Sequence, residues 1–204
     1  MIPGILIYTI SAGVLALGLT FFLDEEPTSA EAMTYPPVAQ PAEQPIPELA
    51  NTLTELSAAL QVPVPGIAAR DLHDSYTDPR GGDRIHEAMD IMAPTGTPVV
   101  AVDDGIIIKL FDSVPGGLTI YQFNPTGDLT YYYAHLDSYA ANLEEGQTIA
   151  RGDLIGYVGA TGNADPSAPH LHFAVFQLGP ERQWWKGTPI NPYPLFQHRE
   201  PLHE

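Results

Sequence analysis

The distribution of apolar and polar residues divides this chain into segments of different character. Residues 2–23 carry no charged side chain, and from residue 5 onward they are mostly Ile, Leu, Val, Ala, Gly and Phe. This run matches the ~20 apolar residues that cross a bilayer and exceeds the ~7–15 of a signal-peptide core. Residues 1–23 are therefore predicted to form an uncleaved transmembrane anchor. The alternative is a signal cleaved near Ala30-Glu31-Ala32, but a positive n-region is missing and that position lies well past the apolar run.

Two segments without strand character follow the apolar run. Residues 24–47 are rich in Pro, Ala, Glu and Thr, and they are predicted to form an extended linker without a core of its own. Residues 48–62 are predicted to form a short helix that Pro63 ends. A helix this short is stable only when it docks against another surface. Its helically spaced apolar positions are Leu49, Leu53, Leu56 and Leu60.

Short β-type runs broken by turn residues fill most of the remaining chain. They cover residues 98–102, 105–111, 118–123, 129–135, 154–158 and 171–176. This spacing predicts a mainly β domain with an antiparallel sheet over residues 63–196, followed by a tail over residues 197–204. Asp104-Gly105, between Val102 and Ile106, also predicts a hairpin at that point.

Composition narrows the functional classes. The chain has 204 residues, of which 44% are hydrophobic, so it can bury one sizeable core. A formal net charge of −17 with 8 Lys and Arg argues against nucleic acid as a partner, because few phosphates could be neutralised. The chain has no Cys, which excludes disulfides, thiolate metal ligands and thiol nucleophiles.

The candidate chemistry begins with two histidines in the last β-type run. His170 and His172 are two residues apart, so on a strand both side chains leave the same face. Their Cα atoms are then roughly 6.5–7 Å apart, which lets both imidazoles reach one small site. The spacing does not reveal which of the two would bind a metal.

Three more polar side chains could complete this site. His86 and Asp90 form a His-x-x-x-Asp pair, and His135 ends a strand-type run. On a straight strand His86 and Asp90 would be ~13 Å apart, too far for two ligands of one ion. The backbone must therefore curl between them, which Gly81-Gly82 upstream and the small Ala88 would permit.

The five side chains together favour a catalytic zinc site over a structural one. Imidazole and carboxylate are suitable zinc ligands, and three protein ligands leave the fourth tetrahedral position for water. Four His and one Asp exceed that need, so two imidazoles are left for proton transfer or charge stabilisation. A closed structural site or a zinc carrier would have no use for this surplus. The pattern therefore indicates a hydrolase.

Several motifs, in one order over roughly residues 64–194, resemble the lysostaphin-type (LytM-type) zinc metallopeptidases. One position departs from the pattern, since Ala88 stands where many members carry Gly. The motifs are His86-x-x-x-Asp90, Ala93-Pro94-x-Gly96-Thr97-Pro98-Val99, Tyr133-Ala134-His135-Leu136, Gly159-x-Thr161-Gly162-Asn163 and Pro169-His170-Leu171-His172-Phe173.

This resemblance implies a fold, a metal and a reaction. The fold would be an antiparallel β-sheet groove of the lysostaphin-like (duplicated hybrid motif) type. One Zn²⁺ ion would be bound by His86, Asp90 and His172, with His135 and His170 as the catalytic pair. The reaction would be endopeptidase hydrolysis of amide bonds in peptidoglycan peptide cross-links by a metal-activated water.

The resemblance also bears on partners and location. Peptidoglycan peptide stems are the expected substrate, and the N-terminal segment is expected to contact the membrane. The catalytic domain is expected in the cell envelope, in the periplasm or outside the cell, because a cytosolic domain would never meet peptidoglycan. The alternative function is a wall-anchored scaffold or activator that retains the zinc site but mainly docks another cell-wall hydrolase. The oligomeric state and the peptide bond that is cut are left open.

Other features allow two interpretations each. Tyr131, Tyr132 and Tyr133 alternate between faces, so they are expected to pack mainly in the sheet, although some could line a groove. Trp184-Trp185 is expected to close the edge of the domain, or else to form a shelf for a glycan. Asn163 could bend the turn at Gly162 or contact substrate.

Overall fold

The computed structural model of this protein describes residues 60–197. Its regular elements are nine strands, one short 3₁₀ turn at Ala69–Asp71 and a short helix, α1, at Tyr193–Gln197. The strands are β1 Met89–Met92, β2 Pro98–Val100, β3 Gly105–Ser113, β4 Gly117–Phe123, β5 Leu129–Tyr139, β6 Thr148–Ile149, β7 Leu154–Val158, β8 His170–Leu178 and β9 Gly187–Ile190.

All of these strands pair antiparallel in a single sheet, in the main order β1-β8-β5-β4-β3-β6. Strand β9 pairs with the second half of β8, whereas β1 pairs with the first half. Strand β5 changes partner along its length, because residues 129–134 pair with β8 and residues 136–139 pair with β7. The sheet therefore divides near residue 135 into a branch with β8 and a branch with β7.

The core lies on one face of this sheet and follows the alternation of the strands. Tyr131 and Tyr133 on β5 are fully buried, as is Phe173, the cross-strand partner of Tyr133. The Tyr133 hydroxyl donates to Gln122 Oε1 at 2.7 Å, and the Tyr131 hydroxyl donates to Asp103 Oδ2 at 2.9 Å. These two tyrosines therefore belong to the core, with their polar atoms satisfied.

The prediction of a hairpin at Asp104-Gly105 is wrong. Strand β2 pairs with β7, and β3 pairs with β4 and β6, so the strands on either side of this dipeptide do not pair with each other. Gly105 serves close packing instead, because a Cβ there would lie 1.9 Å from the Phe123 carbonyl oxygen. The Asp104 carboxylate accepts a hydrogen bond from the Arg151 amide at 2.8 Å. Both residues thus join distant segments.

Some of the other predicted elements are observed in the structure, and others lie outside the described residues. All six predicted β-type runs coincide with observed strands, whereas the short strands β1, β6 and β9 were not predicted. The predicted anchor, the linker and most of the predicted helix and tail lie outside the described residues. Leu60 and Val62, at the end of the predicted helix, are not helical, yet both pack on the core. Within residues 60–197, no helix is both long enough and apolar enough to span a membrane.

Candidate metal centre

The pairing of β1 with β8 builds the first part of the site. His170 and His172 point to one face of β8 because they are two residues apart. Asp90 on β1 is the cross-strand partner of His172. Cross-strand partners share a face, and Asp90 Oδ1 lies 3.0 Å from His172 Nδ1.

His86 reaches the same point because the chain curls just before β1. Glu87 adopts the left-handed conformation with φ 56°. This curl places His86 Nε2 only 3.0 Å from Asp90 Oδ1, instead of the longer separation of a straight strand. A curl between the two residues was expected, and it is found there, at Glu87.

Three potential ligand atoms form a nearly equilateral triangle in the site. His86 Nε2, Asp90 Oδ1 and His172 Nδ1 each lie 3.0 Å from the other two. Ligand atoms ~2.0–2.2 Å from one tetrahedral zinc ion are about 3.4 Å apart, so small adjustments would bring these three onto a common ion. Within the part of the chain that the structure describes, these residues form the one group of three or more metal-ligand side chains.

The protonation pattern of the triangle also fits a cation. His86 Nδ1 donates to the Ser75 carbonyl oxygen at 2.9 Å, so neutral His86 presents a lone pair at Nε2. The facing atom, Asp90 Oδ1, carries lone pairs as well. Two such atoms 3.0 Å apart repel unless a positive species lies between or beside them. Two imidazoles and one carboxylate are also the ligand chemistry that zinc accepts.

Ser75 and Arg80 hold Asp90 from outside the triangle. The Asp90 amide donates to Ser75 Oγ at 3.0 Å, and Arg80 Nη2 donates to Asp90 Oδ2 at 2.5 Å. Burial opposes ionisation of Asp90, but its close contacts with His172 and His86 outweigh that effect and hold the pKa of the carboxyl well below its usual value. Asp90 is therefore an oriented carboxylate at neutral pH, with Oδ1 directed at the two imidazoles.

His135 enters the site through a break in strand alternation. Ala134 faces the site as the cross-strand partner of His172, so strict alternation would send His135 into the core beside Tyr133. Instead His135 has φ 59°, at the point where β5 exchanges β8 for β7. Its ring centroid lies 5.4 Å from that of His172 and 5.1 Å from that of His170. The backbone thus turns this side chain toward the other imidazoles.

His135 and His170 are oriented alike, each with one ring nitrogen held by the backbone. His135 Nδ1 lies 2.9 Å from the Thr161 carbonyl oxygen, and His170 Nδ1 lies 2.8 Å from the Ala168 carbonyl oxygen. A carbonyl oxygen only accepts, so both Nδ1 atoms carry protons. In the neutral rings Nε2 is therefore the basic nitrogen. His170 Nε2 lies 3.7 Å from Asp90 Oδ1, beside the triangle.

Burial shifts the titration of two of these imidazoles. It lowers the pKa of His135 to about 4, and the nearby His172 adds to this effect. Burial also lowers the pKa of His172, against the opposing influence of Asp90. His135 is therefore neutral at pH 7 and able to accept a proton.

The five side chains line an open cleft with a cavity volume of about 840 Å³. Asn163, Asp165, Arg80 and Arg84 also line this cleft. This volume lies in the ~300–1,000 Å³ range of ligand sites. A site that opens on a cleft of this size is accessible to an extended chain.

The comparisons with known proteins agree with this geometry. A model of peptidase family M23 matches residues 84–192, more than half of the chain. The chain belongs to peptidase family M23. M23 peptidases are zinc metallopeptidases, and the His86, Asp90 and His172 group is a candidate site for that ion in this member.

Several curated relatives of this M23 chain are endopeptidases by name. The L-Ala–D-Glu endopeptidase of Bacillus subtilis (strain 168) is 32% identical over 119 residues, which are 56% of this chain and 35% of that protein. The DD-carboxypeptidase/endopeptidase Mpg of Neisseria meningitidis serogroup B (strain ATCC BAA-335 / MC58) is 34% identical over 110 residues, 53% of this chain and 22% of that protein. The M23 chain thus spans about a third or less of these relatives.

A solved structure confirms the fold class predicted for the M23 domain. The catalytic domain of the antimicrobial peptidase lysostaphin from Staphylococcus simulans superposes with a TM-score of 0.53 at 28% identity. The match covers 63% of this chain and 94% of that structure. The fold is therefore mainly β, with the open antiparallel sheet of lysostaphin.

Some residues that shape the site were not predicted from the sequence. Ser75, Arg80 and Glu87 lie in or next to a loop without apolar periodicity, and Thr161 lies in a motif to which no role was assigned. One signal was available for Arg80. The chain has only 8 Lys and Arg, and two of them, Arg80 and Arg84, flank the Gly81-Gly82 turn just before His86.

Proposed function

We propose that this M23 protein is a zinc-dependent endopeptidase that hydrolyses amide bonds in the peptide cross-links of peptidoglycan. The observation that supports this most strongly is the triangle of His86, Asp90 and His172 beside two imidazoles with basic Nε2 atoms. A closed structural site would have no role for His135 and His170. The name of one relative, a peptidoglycan DD-endopeptidase, supports this substrate class.

His86 Nε2, Asp90 Oδ1 and His172 Nδ1 would hold the ion. Zinc, when bound, supplies Lewis-acid activation of a water and of the scissile carbonyl. The protein maintains the ligand orientation, because Ser75 holds His86 and Arg80 holds the second oxygen of Asp90. Such outer contacts keep ligand atoms directed at the ion.

His135 is proposed as the general base. Its Nδ1 proton is engaged by the Thr161 carbonyl, so Nε2 can accept a proton from the attacking water. The pKa of about 4 keeps the ring neutral at pH 7, ready for this step. The protonated ring can then return the proton to the leaving amine.

His170 is proposed to stabilise the charge that develops on the substrate oxygen, a role in which Nε2 carries a proton and donates it in a hydrogen bond to that oxygen. It lies beside Asp90 on the same face of β8 as His172. The hydrogen bond from Nδ1 to the Ala168 carbonyl fixes its ring, so Nε2 keeps one direction during the reaction. A fixed polar group directed at developing charge needs no reorganisation in the transition state.

The proposed location is the cell envelope, with the catalytic domain in the periplasm or outside the cell and the N-terminal segment in the membrane. This placement rests on the apolar run of residues 2–23 and on the substrate class. Fractionation of cells that produce the full chain tests it. Recovery in the cytosolic fraction would contradict the placement.

The test of function is digestion of purified peptidoglycan by the full-length chain, with and without a zinc chelator. We expect zinc-dependent release of new amino termini. His172→Ala should lose both zinc and activity, whereas His135→Ala should lose turnover and keep zinc. Equal loss of zinc in both variants would contradict the assigned roles. No release by the wild type, together with stimulation of another cell-wall hydrolase, would instead support the scaffold or activator function.

A further inference from the structure

A second, aromatic groove lies on the site face of the sheet, where β4, β5, β8 and β9 meet. Tyr121 and Tyr132 are cross-strand neighbours with ring centroids 4.7 Å apart, and Trp184 meets Tyr121 edge-on at 4.6 Å. Phe176 on β8 closes one side, 6.5 Å from Tyr132. The groove has a volume of about 410 Å³, and Trp185 and Lys186 also line it.

This groove lies beside the metal centre. The Tyr132 ring stands edge-on to the His172 ring, with centroids 6.0 Å apart. On β8, alternation places His172 and Phe176 on the same face. Their Cα atoms are therefore about 13 Å apart along the strand. One extended ligand could occupy both places.

The chemistry of the groove fits a sugar ring. Trp185 is 60% exposed, which is unusual for a large aromatic side chain. Its ring stands edge-on to that of the less exposed Trp184, with ring centroids 5.2 Å apart. A pyranose has an apolar C–H face that packs on an aromatic ring, and a rim of polar groups. The Lys186 ammonium and the Tyr121 hydroxyl are hydrogen-bonding groups suited to that rim. A purely apolar ligand group in the groove would make no hydrogen bond with either of these polar groups.

We propose that this groove is a carbohydrate subsite that binds an N-acetylated sugar of the peptidoglycan glycan strand while the attached peptide lies across the metal centre. The inference rests on the proposed function and deepens it. Trp185 supplies the stacking surface, and Lys186 supplies a donor for the acetamido or hydroxyl oxygens.

The spacing of His172 and Phe176 along β8, where Phe176 lines the groove, indicates which peptide bond is reached. About 13 Å corresponds to roughly four residues of extended peptide at ~3.3–3.6 Å each. In peptidoglycan the L-Ala–D-Glu bond is next to the sugar-linked end of the stem, whereas the D-alanyl cross-link lies at the far end. A sugar in the aromatic groove therefore places the far end of the stem at the metal centre. The geometry favours the cross-link over the L-Ala–D-Glu bond.

The experiment compares two substrates and matched variants of the full-length chain. The substrates are a cross-linked muropeptide dimer with its disaccharides and the same peptide dimer without sugars. Trp185→Ala should raise KM for the sugar-bearing dimer by about 3- to 10-fold, the usual range for one aromatic contact, with kcat unchanged. KM for the sugar-free dimer should not change. Trp185→Phe should restore most of the affinity for the sugar-bearing dimer.

Leu154→Ala provides the control, because Leu154 is a 43% exposed apolar residue on β7 that does not line the groove. It should leave both KM values unchanged. Equal KM increases on both substrates for Trp185→Ala would show a peptide subsite and overturn the proposal, as would no change on either.

A binding measurement separates this inference from the proposed function. A tetrasaccharide of alternating N-acetylglucosamine and N-acetylmuramic acid should quench tryptophan fluorescence saturably in the wild type. Trp185→Ala, which keeps Trp184 as a reporter, should bind it more weakly. If the wild type cleaves neither dimer, the proposed function fails, but this titration still decides the subsite. Equal binding by wild type and Trp185→Ala would overturn it.

Discussion

At the scale of single residues, the site depends on the different contacts that the two carboxylate oxygens of Asp90 make. Asp90 Oδ1 faces His86 and His172, and Asp90 Oδ2 accepts a hydrogen bond from Arg80. Arg80 thus prevents the carboxylate from rotating and keeps a single oxygen on the metal side. The guanidinium is well suited to this role because it presents planar donors and stays charged.

Removing this contact should weaken metal binding without removing a ligand. We expect Arg80→Gln to lower zinc affinity by about 10- to 100-fold, the usual effect of losing an outer contact to a metal ligand. Competition with a chromophoric chelator measures this affinity. Arg70→Gln is the matched control, because the Arg70 side chain is 84% exposed and its one ion pair among residues 60–197 is with its neighbour Asp71 at 3.9 Å. Equal affinities in the two variants would show that Arg80 does not orient the ligand.

At the scale of elements, the position of His135 depends on two loops that pack backbone against backbone. Thr161 holds the His135 ring through its carbonyl oxygen, and its hydroxyl donates to the Leu136 carbonyl at 2.7 Å. The next residue, Gly162, has φ 72°, and a Cβ there would lie 2.3 Å from the Gly117 amide nitrogen. The loop before β4 and the loop after β7 therefore approach as closely as they do because both carry glycine.

A methyl group at Gly162 should separate these loops. We expect Gly162→Ala to lower the free energy of unfolding by more than the ~1–2 kcal/mol cost of the left-handed conformation alone, because it adds a clash. It should also lower kcat, since Thr161 would no longer hold His135. Chemical denaturation and steady-state kinetics measure the two effects.

Gly146→Ala is the matched control for this variant. Gly146 also has positive φ, 85°, but a Cβ there meets nothing within 4 Å. It should show the conformational cost alone and keep kcat. If the two variants lost the same stability and activity, the close approach of the loops would not position His135.

At the scale of the whole molecule, the metal centre joins segments far apart in sequence. His86 and Asp90 come from the start of the M23 domain, and His172 comes from near its end. An ion shared by these ligands would bind the folded state and not the unfolded chain. Such an ion stabilises folding by mass action.

Zinc should therefore raise the melting temperature of the protein. At a free zinc concentration about 100 times Kd, the expected stabilisation is about 2.7 kcal/mol, and chelation should reverse it. Differential scanning calorimetry measures the shift. His172→Ala should abolish it, whereas His73→Ala should retain it, because His73 is exposed and lies outside the site. A zinc-induced shift that persists in His172→Ala would place the ion elsewhere.

Local periodicity along the chain was enough to predict several features of this protein. The six β-type runs became strands, and the i, i+2 spacing placed His170 and His172 on one face of β8. These features could be predicted because the direction of a side chain within a strand follows from chain geometry alone. The motifs identified the family for the same reason, since their order and spacing are properties of the chain.

The pairing of the strands and the orientation of His135 depend on the tertiary fold and do not follow from local sequence. It paired β1 with β8, so that Asp90 stands opposite His172, and it paired β2 with β7 where a hairpin had been expected. It also turned His135 out of the core with a φ of 59°. Strand partners depend on which apolar faces are buried together over long sequence separations, and such left-handed residues persist only where surrounding contacts support them. Local periodicity contains neither kind of information.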